Sequence, residues 1–140
     1  MKIVADSNYF VALASINDNL YSTAFNLAKL IKDREDKIYI NKYIFLEIVT
    51  IISQKISRDI SIKVGRDLLE NTGEIEVLDI DSIMFQKTWD IIQKVKDKNI
   101  SFVDCSLIVL KNEIATDTIL TFDVTGFTKL RKFYKFQYYK

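Results

Sequence analysis

Lys2-Ile3-Val4-Ala5-Asp6-Ser7-Asn8 runs from a short apolar stretch straight into an acid followed by two small polar residues. β-Branched Ile and Val, with no polar residue alternating between them, predict a strand buried on both faces. A strand of that kind belongs to a parallel sheet covered by helices. Outward from it, Asn8 to Ala14 reads as a short helix, and Ala24, Leu27, Ala28 and Ile31 recur at helical spacing toward Arg34-Glu35-Asp36. The alternation then repeats. Ile38-Tyr39-Ile40 is a second strand, Lys42 to Lys55 a helix, and Ile60, Val64 and Leu68 mark another that stops at Asn71-Thr72-Gly73. Ile75 to Leu78 is a third strand. Phe85, Trp89, Ile92 and Val95 stripe the next helix, which Asp81 caps, and the stripe is assigned to the core. Ser101 caps a helix through about Asn112, Thr118 to Phe122 is a fourth strand, a short turn holds Gly126, and the tail supplies a fifth strand. The expected fold is α/β: a three-layer α/β/α sandwich with a mainly parallel, five-stranded sheet, forming a single domain over residues 1–140.

With 140 residues and 49% hydrophobic content, the chain can bury one sizeable core, and disorder is excluded. The longest stretch without a charge, Ser7 to Asn17, falls far short of the ~20 residues of a membrane span. Asp6 and Asn8 stand where the apolar segment of a signal peptide would run. A cytoplasmic protein with no membrane partner is expected. The single cysteine, Cys105, excludes an internal disulfide framework and is read as a small core residue. Histidine is absent, which removes Ser–His and Cys–His nucleophiles, His general bases and His metal sites. Chemistry here falls to carboxylates, lysines, hydroxyls or a metal held by oxygen.

Net charge is +1, but it is unevenly placed. From Val124 onward Lys129, Arg131, Lys132, Lys135 and Lys140 meet no acid, while the preceding residues carry a net −4. The basic, aromatic tail reads first as an edge strand with lysines on its exposed side, and second as a contact for a polyanion.

In an open parallel sheet, ligands sit beyond the carboxyl ends of the strands. Asp6 follows the first strand and Asp123 the fourth. Asp104 lies in the first turn of the helix before the fourth strand, and Glu47 in the first half of the helix after the second. Each is the only charge in an apolar neighbourhood, and burying an unpaired carboxylate is costly. Read singly, Asp6 and Asp123 suit caps, Ser101-Phe102-Val103-Asp104 matches a capping box, and Glu47 shares a stripe with Tyr43, Thr50 and Gln54 that suits solvent. Read together, four acids aimed at one end of one sheet suit a shared Mg²⁺ or Mn²⁺, which prefers oxygen ligands. Such an ion activates water and clamps a phosphate for in-line displacement.

Val4-Ala5-Asp6-Ser7-Asn8, Ile44-Phe45-Leu46-Glu47-Ile48, Ser101-Phe102-Val103-Asp104-Cys105 and Leu120-Thr121-Phe122-Asp123 together resemble the four acidic motifs of PIN-domain nucleases. Order, spacing and length are most like the VapC-type ribonuclease toxins of toxin–antitoxin pairs. The resemblance implies Mg²⁺- or Mn²⁺-dependent RNA cleavage, with Asp6, Asp104 and Asp123 as metal ligands and Glu47 nearer or one shell out. It implies supporting hydroxyls at Ser7 and Thr121, and as partners an RNA substrate, a VapB-like antitoxin and a second copy in a homodimer. Haloacid-dehalogenase-like and receiver-like domains fit poorly. Asp6-Ser7-Asn8 lacks the second acid of Asp-x-Asp, and a receiver's acidic pair is missing at the first strand. The remaining rivals are a non-catalytic RNA- or protein-binding module of the same fold and a housekeeping RNA-processing nuclease.

Overall fold

A computed structural model describes residues 1–70 and 73–140. Five strands, β1 (Lys2–Ala5), β2 (Lys37–Asn41), β3 (Ile75–Leu78), β4 (Thr118–Leu120) and β5 (Gln137–Tyr138), form one sheet in the order β3-β2-β1-β4-β5. Every pairing is parallel. The described helices are α1 (Ser7–Leu13), α2 (Tyr21–Arg34), α3 (Lys42–Lys55), α4 (Arg58–Glu70), α5 (Ser82–Val95), α6 (Phe102–Glu113) and α7 (Val124–Arg131). Parallel neighbours require crossovers, and crossovers are right-handed. The steps β1→β2→β3 and β3→β4→β5 run in opposite directions along the sheet, so α1–α4 cover one face and α5–α7 the other. This is the three-layer α/β arrangement expected from the sequence. β1 lies at its centre, with Ile3, Val4 and Ala5 fully buried.

Helix starts follow the local chemistry. The side chains of Asn41, Asp81 and Ser101 accept from the backbone N–H of Ile44, Met84 and Asp104, at 3.0, 2.8 and 3.0 Å. Helix ends were harder to read, because the chain has only three glycines. α2 and α5 stop on Glu35 and Lys96 in the left-handed conformation, at φ 57° and 55°. The expected stop of α4 at Asn71-Thr72 lies outside the described residues.

Four expectations need correction. Phe85 and Trp89 are not core: they are 49% and 48% exposed, while Met84, Thr88 and Ile91 face inward. Thr88 fits that inner face because its hydroxyl donates to the Met84 carbonyl at 2.8 Å, hiding its polar group within the helix. Ile92 is only partly buried, packed against the core. Gly126 sits inside α7 rather than in a turn. β4 ends at Leu120, two residues before Phe122. The tail forms an edge strand over Gln137 and Tyr138 alone, and Lys132 and Lys135 precede it, so those lysines guard no strand. Cys105 is a fully buried free thiol, as expected. No described helix is long and apolar enough to cross a membrane.

These burial differences set a stability contrast. Phe127 is fully buried on α7 and packs edge-on against Phe136 at 6.2 Å. Phe127→Ala should cost about 3–5 kcal/mol in urea unfolding, and Trp89→Ala less than about 1 kcal/mol. Equal losses for the two would place the core on the wrong face of α5.

Candidate active site

β1 and β4 lie side by side, but their outgoing connections turn to opposite faces, which opens a crevice beyond their carboxyl ends. Asp6 leaves β1 there, its N–H donating to the Leu120 carbonyl at 2.8 Å and so continuing the ladder. Its Oδ1 accepts from the Ser7 N–H at 2.8 Å and its Oδ2 from the Thr121 hydroxyl, also at 2.8 Å. Thr121 Oγ1 in turn accepts from the Asp123 N–H at 3.0 Å, so one hydroxyl joins the two acids that end β1 and β4. Glu47 stands in the second turn of α3, which starts directly after β2. The Ser7 hydroxyl donates to its Oε1 at 2.5 Å, drawing α3 toward the end of β1.

Asp104 is placed by its own helix start: among the described residues no hydrogen bond joins it to the other three acids, and it interacts with them by repulsion alone. Its Oδ2 accepts from the Ser101 N–H at 3.0 Å while the Ser101 hydroxyl accepts from the Asp104 N–H, the reciprocal capping box legible in the sequence. Asn41 fixes this start of α6 against α3. Its amide donates to Ser106 Oγ at 3.0 Å, and Ser106 donates to the Val103 carbonyl. Among the described residues no three carboxylates close on one point as a ready-made ligand cage.

No described Lys or Arg forms an ion pair with any of the four acids. Lys42, which opens α3 nearby, is paired with Asp79. Burial pushes the Asp6 carboxyl up to about 7, and the negative charges of Asp104 and Glu47 add to that against the hydrogen bonds from Thr121 and Ser7. Burial likewise raises Asp104, reinforced by Asp123 and Glu47. Glu47, Asp104 and Asp123 each place one carboxylate oxygen on a protein donor and leave the other without one among the described residues. The arrangement is a set of hard oxygen donors with excess negative charge and no counter-ion paired to them among the described residues.

Two contributing residues escaped the sequence reading. Asn8 bridges the crevice: its amide donates to Asp6 Oδ2 and to Thr121 Oγ1, both at 3.3 Å, and its Oδ1 accepts from the Phe122 N–H at 3.1 Å. Its place two residues after Asp6 was the available signal. Gly126 donates its N–H to Asp123 Oδ1 at 3.0 Å. A Cβ there would lie 2.5 Å from Asp123 Oδ2, so glycine lets that carboxylate fold back over α7. No sequence pattern marked it.

The family model of the PIN domain matches residues 3–132. Comparison with curated proteins gives no sequence match. Among solved structures, the Mycobacterium tuberculosis toxin VapC20, described as cleaving the sarcin–ricin loop, superposes with a TM-score of 0.76 at 13% identity, over 90% of this chain and 93% of that one. VapBC2 from Rickettsia felis, solved on a DNA fragment from its promoter, gives 0.70 at 13% identity over the full length of both chains. VapBC-1 from nontypeable Haemophilus influenzae gives 0.64 at 16% identity, over 100% of this chain and 98% of that one.

Two outcomes follow from the geometry. A carboxyl whose pKa rises on folding contributes stability below its unfolded value and loses it as pH climbs through the folded value. For Asp6 that window runs from 3.8 to about 7. In EDTA the melting temperature should therefore fall between pH 5 and pH 8, and Asp6→Asn should flatten the decline. A slope unchanged in that variant would reject the assignment. Gly126→Ala should expel the Asp123 carboxylate and break its cap of α7, at a cost of about 0.5–2 kcal/mol. Mn²⁺ titration calorimetry should then show weaker binding at a temperature where the variant is still folded.

Proposed function

Because this chain belongs to the PIN-domain family, we propose that it is a divalent-metal-dependent endoribonuclease acting in the cytoplasm as the toxin of a toxin–antitoxin pair. One observation supports this most: four carboxylates beyond the strand ends within electrostatic reach of one another, one of them buried, with no described cationic side chain paired to any of them.

The donor set fits Mg²⁺ or Mn²⁺, all oxygen and no sulfur or imidazole. Asp6, Asp104 and Asp123 are the residues to hold the ion, with Glu47 as a nearer or outer partner. When bound, such an ion activates water and neutralises phosphate charge. The remaining groups position the acids. Thr121 holds Asp6 and the Asp123 backbone together, and Ser7 aims Glu47. Without histidine the chain lacks the usual acid and base for attack by the ribose 2′-hydroxyl. Hydrolysis by water in line with the 3′-oxygen suits the site instead. The partners on this reading are an RNA substrate, a VapB-like antitoxin and a second copy of the chain. The similarity in fold to the VapBC toxin–antitoxin proteins supports the antitoxin.

The test is cleavage of single-stranded oligoribonucleotides by the purified chain. Mn²⁺ or Mg²⁺ should be required, EDTA should abolish turnover, and products should carry a 5′-phosphate and a 3′-hydroxyl. Asp6→Asn and Asp104→Asn should each lower kcat more than about a hundredfold, beyond the usual cost of losing an outer-shell partner. Cyclic 2′,3′-phosphate ends would refute the hydrolytic route. RNA binding without cleavage under any metal condition would favour a non-catalytic module. Cleavage of normal cellular precursors without growth arrest would favour housekeeping processing.

A further inference from the structure

Three aromatic rings from three helices meet beside the acids. Tyr43 of α3 and Phe102 of α6 pack edge to face with centroids 5.8 Å apart, and Phe85 of α5 leans on Phe102 at 5.4 Å. The sequence ties the first to an acid: Tyr43 precedes Glu47 by one helical turn on the same face of α3, and Phe102 joins this group through its contact with Tyr43. Phe85 is half exposed, a ring the hydrophobic stripe had assigned to the core. A groove of about 290 Å³ runs on from this ridge, and Glu47 and Tyr43 both line it, with Leu46, Thr50, Ile51 and Val103. Glu47 thus belongs at once to the carboxylate group and to the groove wall.

We propose that the ridge of Tyr43, Phe85 and Phe102 is a nucleobase-stacking subsite, which takes an unpaired base of a single-stranded RNA next to the phosphate presented to the acids. This deepens the nuclease reading and rests on it. Aromatic faces left in water are costly to keep unless something covers them, and every base offers a flat partner. The acids repel a phosphate backbone unless a cation is bound, so strand affinity near the site has to come from uncharged contact. The charged neighbour beside Tyr43, Lys42, is already paired with Asp79. Continuity with Glu47 points the groove at the substrate. A base held in a duplex is stacked on its own neighbours and cannot reach a ridge of this shape, so the subsite selects loops and single strands.

Trp89, the only tryptophan, lies one turn beyond Phe85 on α5 and is half exposed, so its fluorescence reports on the ridge. Titration in the Asp104→Asn background, with Mg²⁺ present, should show quenching by single-stranded RNA and little by the duplex of the same sequence. Phe85→Ala should weaken single-strand binding about tenfold, within the range for losing one base stack, and Phe85→Tyr should restore it. An oligonucleotide carrying an abasic residue beside the cut should lose a similar factor against the parent, with little further loss against Phe85→Ala. In Mn²⁺-dependent cleavage the defect should fall on KM more than on kcat. Quenching with no cleavage in the Asp104-containing parent would leave the ridge standing and remove the nuclease. Cleavage with an unchanged KM in Phe85→Ala and Tyr43→Ala, or additive losses with abasic RNA, would overturn the ridge and leave the nuclease. Equal binding of duplex and single strand would also overturn it.

Discussion

The Thr121 hydroxyl donates to Asp6 across 2.8 Å while accepting from the Asp123 N–H, and this one group fastens the ends of β1 and β4 to each other. The bond is needed because Asp6 is buried and faces other acids, with no described lysine or arginine paired to it. A carboxylate so placed is stable only if neighbouring donors satisfy it, and the Ser7 N–H, Thr121 and Asn8 supply them. The same bond sets the height at which the chain leaves β4, and hence where α7 begins with its capping Asp123. Electrostatic strain between the acids is held in place by a tightly packed centre, in which Ile3, Val4 and Ala5 of β1 and Phe127 of α7 are fully buried.

Stability and chemistry pull in opposite directions at this point. Burial, reinforced by mutual repulsion, raises the carboxyls of Asp6 and Asp104 and destabilises the metal-free fold near neutral pH. A cation would relieve that repulsion, so binding it would stabilise the fold as well as prepare the site. Residues away from the acids keep the helices in register meanwhile. Asn41 links the starts of α3 and α6 through Ser106, so the helices that carry Glu47 and Asp104 share one anchor.

Much of the fold was legible because buried parallel strands leave short apolar runs and capped helices leave Asn, Asp or Ser at their starts. Asp81 and Ser101 cap their helices as read, and Asn41, which was not singled out, caps α3 in the same way. The phase of α5 was misread because Thr88 hides its hydroxyl inside the helix and so takes a core position that letters alone assign to solvent. The Asp123 loop was misread for a related reason. Gly126 suggested a turn, but here glycine serves to admit a carboxylate against the helix. The tail looked like a full strand, yet only Gln137 and Tyr138 pair with β4.

What the sequence determined by itself was the set of residues available for chemistry. Four acids stood alone on apolar segments at strand ends and helix starts, and no histidine was present to do the work another way. Charge isolation of that sort survives in the letters, because neighbours along the chain are known. Only the tertiary structure decided how the acids are held. It gave Asp6 to Thr121 and Asn8, Glu47 to Ser7, Asp123 to Gly126, and Asp104 to its own capping box. Those partners are up to 115 positions apart, and a hydrogen bond depends on distances of a few ångströms in space, which no spacing in the sequence encodes.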